Sequence, residues 1–360
     1  MELDPDKYDY GSFEVRNLGE SREWSLLVRE PVLEPDLPII DCHHHFYVRE
    51  DGNYMLPELS DDIGSGTNMR ATVYVECGAH YWKDGPVSER PVGETEFVAQ
   101  LAEDAVSAGI SNSCNVCAGI VGFADLMLGD RVKPVLERHL EKANGRFRGI
   151  RNRVTWNPYG IGMKNRNFTE GMLLAPHFQE GFARLKEFGL TYDNWQYHTQ
   201  LGELYALARK FPDVPIVVNH IGGVIGVGPY AEKRTEVIDQ WQKGMRDLAT
   251  LDNVFMKVGG LGVVVFGYKF PFRPVPPTSA ELARAWRPAV DFCIQTFGPD
   301  RCMLESNFPA DQQSCNYTAI WNAFKIITAD LSASERLDLF HNTANRIYRL
   351  ASSVPAASAA

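Results

Sequence analysis

Ile39-Ile40-Asp41-Cys42-His43-His44-His45 places three of the chain's nine histidines directly behind an apolar pair, at what reads as the mouth of a buried strand. Side chains alternate faces along a strand, so His43 and His45 are expected on one face with Asp41, and Cys42 and His44 on the other. Two imidazoles on one face make half of a metal site. An isolated His-x-His is more often a surface or core feature. Here the pair closes an apolar strand, and further histidines end later strands.

Working outward from that strand, short β-rich apolar runs alternate with longer helix-patterned segments. Eight runs read as strands: Ile39–Phe46, Ala71–Cys77, Val116–Ala124, Phe147–Val154, Leu190–Tyr197, Ile216–Ile221, Val254–Gly259 and Cys302–Phe308. Helical patterns fall at Glu94–Ala108, Arg131–Ala143, Gly181–Phe188, Leu201–Phe211, Glu232–Ala249, Ser279–Phe297, Tyr317–Ile327 and Ser332–Leu350. Eight alternating βα units argue for an α/β fold of the (β/α)8 TIM-barrel type with an N-terminal extension and long catalytic-face loops. A doubly wound sheet is the alternative, and the lack of an early GxGxxG turn weakens it. Residues 1–38 are expected to wrap the underside or an edge of a barrel spanning 39–350. The Ser- and Ala-rich tail, 351–360, reads as disordered.

The bulk properties narrow the partners. The 360 residues are 44% hydrophobic, enough for one large core, and the net charge of -10 argues against nucleic acid or an anionic membrane. A small-molecule substrate is expected, with a homo-oligomer compatible. No stretch approaches the ~18 to 20 apolar residues of a spanning helix, and the acidic N-terminus has no signal-like apolar region, so a cytoplasmic location is expected. Seven scattered cysteines fit reduced thiols, and the lone Cys114-x-x-Cys117 reads as a helix-to-strand junction.

In such barrels the chemistry sits at the C-terminal ends of the strands. The polar residues expected there are His43 and His45, Glu76, Arg151 and Arg153, His198, His220, Lys257, then Glu305 and Asn307 with Asp311 just beyond. Charged groups inside a barrel need each other, a metal or a charged ligand. Any one of them could be a structural pair, but four histidines on one rim point to a site.

The run Ile39–Phe46, the segment Gly189-Leu-Thr-Tyr-Asp-Asn-Trp-Gln-Tyr-His198, the turn Val217-Val-Asn-His-Ile-Gly-Gly223 and the turn Glu305-Ser-Asn-Phe-Pro309 resemble the amidohydrolase-related TIM-barrel hydrolases. Within these the chain is most similar to the group that includes sugar lactonases and 2-pyrone-4,6-dicarboxylate lactonase. The resemblance covers Ile39 to Leu350. It implies that His43 and His45 bind a divalent metal, that His220 binds the metal or polarises the scissile carbonyl, and that His198 stands where distant members have a further ligand. Zinc suits nitrogen ligands, and manganese suits a site that carboxylates join. Some lactonases of this kind work without metal, so a metal-independent mechanism stays open. The departure is Asn307, where many relatives carry an Asp. An amide cannot accept a proton at neutral pH, so the general base is expected at Asp311, Glu305 or His198, with Asp311 preferred.

Three long loops, Gly78–Gly93, Trp156–Pro176 and Gly260–Thr278, are expected on the same rim. Phe266 and Tyr268, with Phe270 and Phe272, would line a pocket of apolar or aromatic character together with Trp156. Arg151, Arg153 and Lys257 would hold an anionic group, unless they pair with Glu76 or Asp125. The glycine-rich Gly222–Gly228 lacks the lysine of a phosphate loop and reads as a close-packed turn. The expected function is hydrolysis of a small cyclic ester, or a related ester or amide. The alternatives are a metal-dependent decarboxylase or hydratase of an aromatic or unsaturated acid, against which Asn307 counts, and a binding protein on the same scaffold.

Overall fold

Every one of the eight apolar runs becomes a strand of one parallel sheet. The computed structural model describes residues 8–350 apart from 13, 111–113 and 163–167. Its strands are β1 (Ile39–His44), β4 (Met69–Val75), β5 (Asn115–Gly122), β6 (Phe147–Arg153), β7 (Thr191–Trp195), β8 (Ile216–Val218), β9 (Val254–Val258) and β10 (Cys302–Leu304), hydrogen-bonded in that order. The residues after β10 return to β1: the Asn307 amide donates to His43 O at 2.9 Å and the His45 amide to Phe308 O at 2.7 Å. The sheet thereby closes into a (β/α)8 barrel. Around it lie α3 (Val92–Ser107), α4 (Lys133–Lys142), α5 (Pro176–Arg184), α6 (Leu201–Lys210), α7 (Arg234–Ala249), α8 (Ser279–Phe297) and α9 (Tyr317–Ile327). No helix of the described residues is long and apolar enough to cross a membrane.

The core divides as barrel geometry requires. One cluster lies between sheet and helices, and a second fills the barrel with Ile40, Cys42, Val73, Val121, Val217 and Met303, closed at one end by Ile347, Tyr348 and Leu350. All seven cysteines are free thiols, and Cys117 lies within β5.

Several features differ from the sequence reading. The helix expected from Gly181 is α5, which starts at Pro176, a residue suited to the first helical position. Gly181 sits inside it, because a Cβ there would come within 2.3 Å of Leu126 O. The helix expected over Ser332–Leu350 is broken into α10 (Ala333–Leu337) and α11 (Thr343–Ile347) by a π-type turn at Asp338–Asn342. A hairpin of β2 (Tyr47–Arg49) and β3 (Gly52–Tyr54), followed by α2 (Leu56–Ile63), extends the strand-one loop over the rim.

The N-terminal extension also runs differently. Residues 28–34 follow the barrel edge, with the Leu33 amide on Asn322 Oδ1 and Lys325 Nζ on Leu33 O. The preceding stretch, which includes α1 (Leu18–Ser25), crosses the open face rather than the underside. Trp24 Nε1 donates to Arg273 O, the Val15 amide to Gln313 Oε1 and the Gly162 amide to Tyr10 O. Burial of Leu18 and Trp24 against the rim loops holds it there. The tail 351–360 lies outside the described residues.

The strict alternation expected of β1 fails at one point, and the failure positions the site. Asp41 pairs with Thr72 but His44 pairs with Tyr74, so β1 carries one residue more than β4 over this stretch. That extra residue is a β-bulge. Asp41 consequently faces the outer layer rather than joining His43: it accepts from the Ser306 amide (3.0 Å), Ser306 Oγ (2.5 Å) and Tyr317 OH (3.0 Å). Cys42 and His43 both face the barrel interior, while His44 packs outward against Tyr74 and Phe46. Asp41 is fully buried, and burial pushes its pKa up to about 6.

Asp41→Ala strands four buried donors, the His43 amide at 3.2 Å with the three above, and should cost about 3 kcal/mol, against about 1 kcal/mol for Tyr317→Phe. Denaturant midpoints of the two variants test this, and an Asp41→Ala protein as stable as the parent contradicts the latch.

Candidate active site

The bulge turns His43 into the barrel mouth, where strand ends bring three groups together. His43 from β1, His220 just past β8 and Glu305 just past β10 are all buried, and each offers one ligand-type atom within 4.8 Å of the others. Glu305 stands between the imidazoles, with Oε1 2.7 Å from His220 Nδ1 and Oε2 2.7 Å from His43 Nδ1. Oε1 also accepts from the His220 backbone amide at 3.1 Å. Gly260 is required beside this contact, because a Cβ there would lie 2.2 Å from His220 Nδ1. The His43 ring is 4.9 Å from that of His45 and 4.7 Å from that of His220, which brings the three rings together.

Electrostatics keep the imidazoles neutral. His43 has Lys257 Nζ at 3.5 Å from Nδ1 and Arg151 Nη1 at 3.2 Å from Nε2. Burial, and after it Lys257, holds its pKa far below the ordinary histidine value. Burial and then Arg151 do the same to His45, and burial lowers His220 despite Glu305. Neutral imidazole is the form that ligates a metal or accepts a proton. The His45 Nδ1 lies 2.7 Å from Val75 O, which only accepts, so the ring proton sits there and Nε2 keeps its lone pair.

The expected anion holders are committed to internal partners. Arg151 Nε binds Glu76 Oε1 at 2.7 Å and its Nη2 binds Glu76 O. Lys257 is fully buried on Asp193 at 2.8 Å, and Asp193 also takes Tyr348 OH and Asn219 Nδ2. Arg153 reaches the cavity wall but donates to Thr155 Oγ1 and Gly162 O.

Asp311, preferred as base, is held away from the mouth. It accepts from the Gly262 amide and from Asn307 Nδ2, both at 2.7 Å, and burial raises its pKa well above the carboxylate range. Asn307, at φ 53°, lines the cavity with Asp311 fixing its amide. His198 also stands apart: β7 ends at Trp195, and the chain turns before His198. The His198 Nδ1 accepts from the Ile225 amide at 3.4 Å, its ring meets Tyr230, and burial lowers its pKa to about 4.

The cavity above the cluster has a volume of about 310 Å³ and walls of mixed charge. His45, Glu76, Arg151, Arg153, His220 and Asn307 line it as expected. Phe266 lies buried behind Trp195, at 6.4 Å between ring centroids, and Trp156, Phe266 and Tyr268 are not among the lining residues. Trp195 takes the place the aromatic loop was expected to fill, its ring 4.6 Å from that of His220. Sequence reasoning missed it, although its inward position near the end of the expected strand was a signal. It also missed Tyr47 and Arg49 of the hairpin and Glu14, Arg16 and Leu18 of the extension, for which nothing in the pattern marks a cavity wall.

A divalent metal fits these residues on one observation: Glu305 Oε2 is buried and makes no hydrogen bond, although His43 Nδ1 is beside it. An orphaned carboxylate oxygen among neutral imidazoles is suited to a cation.

Comparisons with known proteins agree with this fold. An uncharacterised protein of Sinorhizobium fredii is 34% identical over 331 residues, covering 88% of this chain and 99% of its own length. The L-fucono-1,5-lactonase of Burkholderia multivorans is 24% identical over 320 residues, covering 86% and 96%. In three dimensions, the crystal structure of an amidohydrolase from Burkholderia multivorans with bound zinc superposes with a TM-score of 0.66 at 22% identity, covering 88% of this chain and 99% of that one. The amidohydrolase family model (Amidohydro_2) matches residues 40–350, from the bulged first strand to the end of the last helix. With the barrel, the strand-end histidines and that match together, the chain belongs to the amidohydrolase family of enzymes.

Proposed function

We propose that this enzyme hydrolyses a small, hydroxyl-rich lactone at a centre in which His43, His220 and Glu305 hold a divalent ion, zinc before manganese. The observation that carries the reading is the buried His43–His220–Glu305 triad, whose His220 lines a polar cavity. Two neutral imidazoles and one carboxylate are a donor set that zinc takes at hydrolytic sites. When bound there, the ion would supply Lewis-acid polarisation of the ester carbonyl and lower the pKa of water from 15.7 toward ~7.

The chain's own residues do the rest. His45 Nε2 takes the proton of the attacking water, since its Nδ1 proton is pinned on Val75 O. Water oxygen bonds to the carbonyl carbon, the ring C–O bond breaks, and His45 returns the proton to the departing ring oxygen, leaving a hydroxy acid. Asn307, fixed by Asp311, orients polar groups at the mouth. The lactone class is supported by the relative named L-fucono-1,5-lactonase and by cavity walls rich in charged and hydrogen-bonding groups, which suit hydroxyls better than an apolar ring.

Variant kinetics and metal analysis separate these roles. Glu305→Gln and His43→Asn should lose both activity and bound metal, whereas His45→Asn should lose about 10²- to 10⁴-fold in kcat while retaining metal. Loss of metal in His45→Asn places that residue among the ligands instead. Asp311→Asn, which sets an amide N–H against one of its two donors, should cost about 10-fold through Asn307, well short of the loss of a base.

A proton-release screen of sugar lactones, aryl esters and aromatic acids checks the substrate class. Turnover is expected in the first group, and carbon dioxide release from an aromatic acid without any lactone turnover overturns the reading.

A further inference from the structure

The cations nearest the reacting centre are consumed by protein acceptors, so the anchor for an anionic substrate must lie elsewhere. Arg151 is held by Glu76 and His43, Lys257 by Asp193, and Arg16 by the carbonyls of Pro271 and Arg273. Arg49, on the rim hairpin, differs. Its Nη1 meets Glu14 Oε1, its Cζ lies 4.2 Å over the Tyr47 ring, and its remaining N–H groups meet no partner among the described residues. Both Arg49 and Glu14 line the cavity and both are partly exposed, at 33% and 49% of their side chains.

The rings beneath Arg49 lead to the centre. Tyr47 stacks on His45 at 5.8 Å with 7° between planes, and His45 meets His43 at 4.9 Å. A ligand lying along this ladder has one end at the triad and the other at Arg49. We propose that Arg49 is a specificity-determining residue that binds a carboxylate on the substrate end remote from the scissile bond. Glu14, supplied by the N-terminal extension, is the carboxylate that occupies Arg49 until substrate displaces it. An exposed pair of this kind is worth little by itself, so exchange of one carboxylate for another costs little, and a planar guanidinium receives the new one through two N–H groups. Glu14 precedes the region that matches the family, which begins at residue 40, so the competing carboxylate comes from the extension, while Arg49 lies within the matched region.

The proposal deepens the lactonase reading, and binding is measured apart from turnover so that the two can fail separately. Calorimetry with glucarate, a six-carbon hydroxylated dicarboxylate, should give binding to the parent protein that weakens about 10-fold or more in Arg49→Gln and tightens about 3-fold in Glu14→Gln, where the competing carboxylate is gone. Kinetics with glucaro-1,4-lactone and glucono-1,4-lactone, which differ in a terminal carboxylate against a hydroxymethyl, should show Arg49→Gln lowering the preference for the acidic lactone through KM with kcat little changed. If no lactone turns over but glucarate binding depends on Arg49, the anion site stands and the hydrolase reading falls. No glucarate binding to the parent protein, equal affinity in parent and Arg49→Gln, or weaker affinity in Glu14→Gln overturns the proposal.

Discussion

One carboxylate holds the mouth of this barrel together. Glu305 is fully buried between His43 and His220, in a region that also carries Arg151 and Lys257. Burying a charge is costly unless it is paired, and this chain meets that condition in layers. Lys257 and Asp193 neutralise each other inside the barrel, Arg151 and Glu76 do so at the rim, and Glu305 is left to the imidazoles. Burial, and after it the neighbouring Lys257 and Arg151, keeps the histidines neutral, and Glu305 keeps an oxygen without a hydrogen bond. The negative charge and the lone pairs are thus concentrated at one buried point behind His220, which lines the cavity.

The backbone is arranged to permit this. Without the bulge in β1, strict alternation would put His43 on the same face as Asp41, and one of the two would face the wrong layer. The extra residue lets Asp41 fasten the strand-eight turn through Ser306 while His43 faces Glu305 from the interior. Asn307, in the left-handed region, and Gly260, which leaves room for His220, complete the closure. Stability and chemistry therefore meet in the same few residues, and Asp311 serves both by holding Asn307 from behind.

Much of this was legible because barrel rules are periodic. Eight apolar runs with intervening helical patterns determine the strands and their order, and polar residues at strand ends are where sites collect. Helices with clear caps, such as α8 behind Thr278 and α9 behind Asn316, read correctly to the residue. What alternation cannot express is a bulge, so the faces of Asp41 and Cys42 were misassigned. Pairing is harder to read in one dimension: the sequence left Arg151 open between an anion and Glu76, and Lys257 looks like an anion holder until Asp193 appears beside it. Asp311 was preferred as base from its place just beyond strand eight, yet it is buried with two hydrogen bonds to its carboxylate. The N-terminal extension has no periodic signal at all, and its place over the mouth is decided by Leu18 and Trp24 finding apolar cover there.

The account stands on a cation seated among His43, His220 and Glu305. Crystals of the protein grown with zinc, measured on both sides of the zinc absorption edge, test it most directly. The account predicts an anomalous peak bounded by those three side chains, within bonding distance of about 2.0 to 2.2 Å from nitrogen and oxygen donors. A fully active protein with no peak there, or with its zinc bound at another place in the chain, contradicts it.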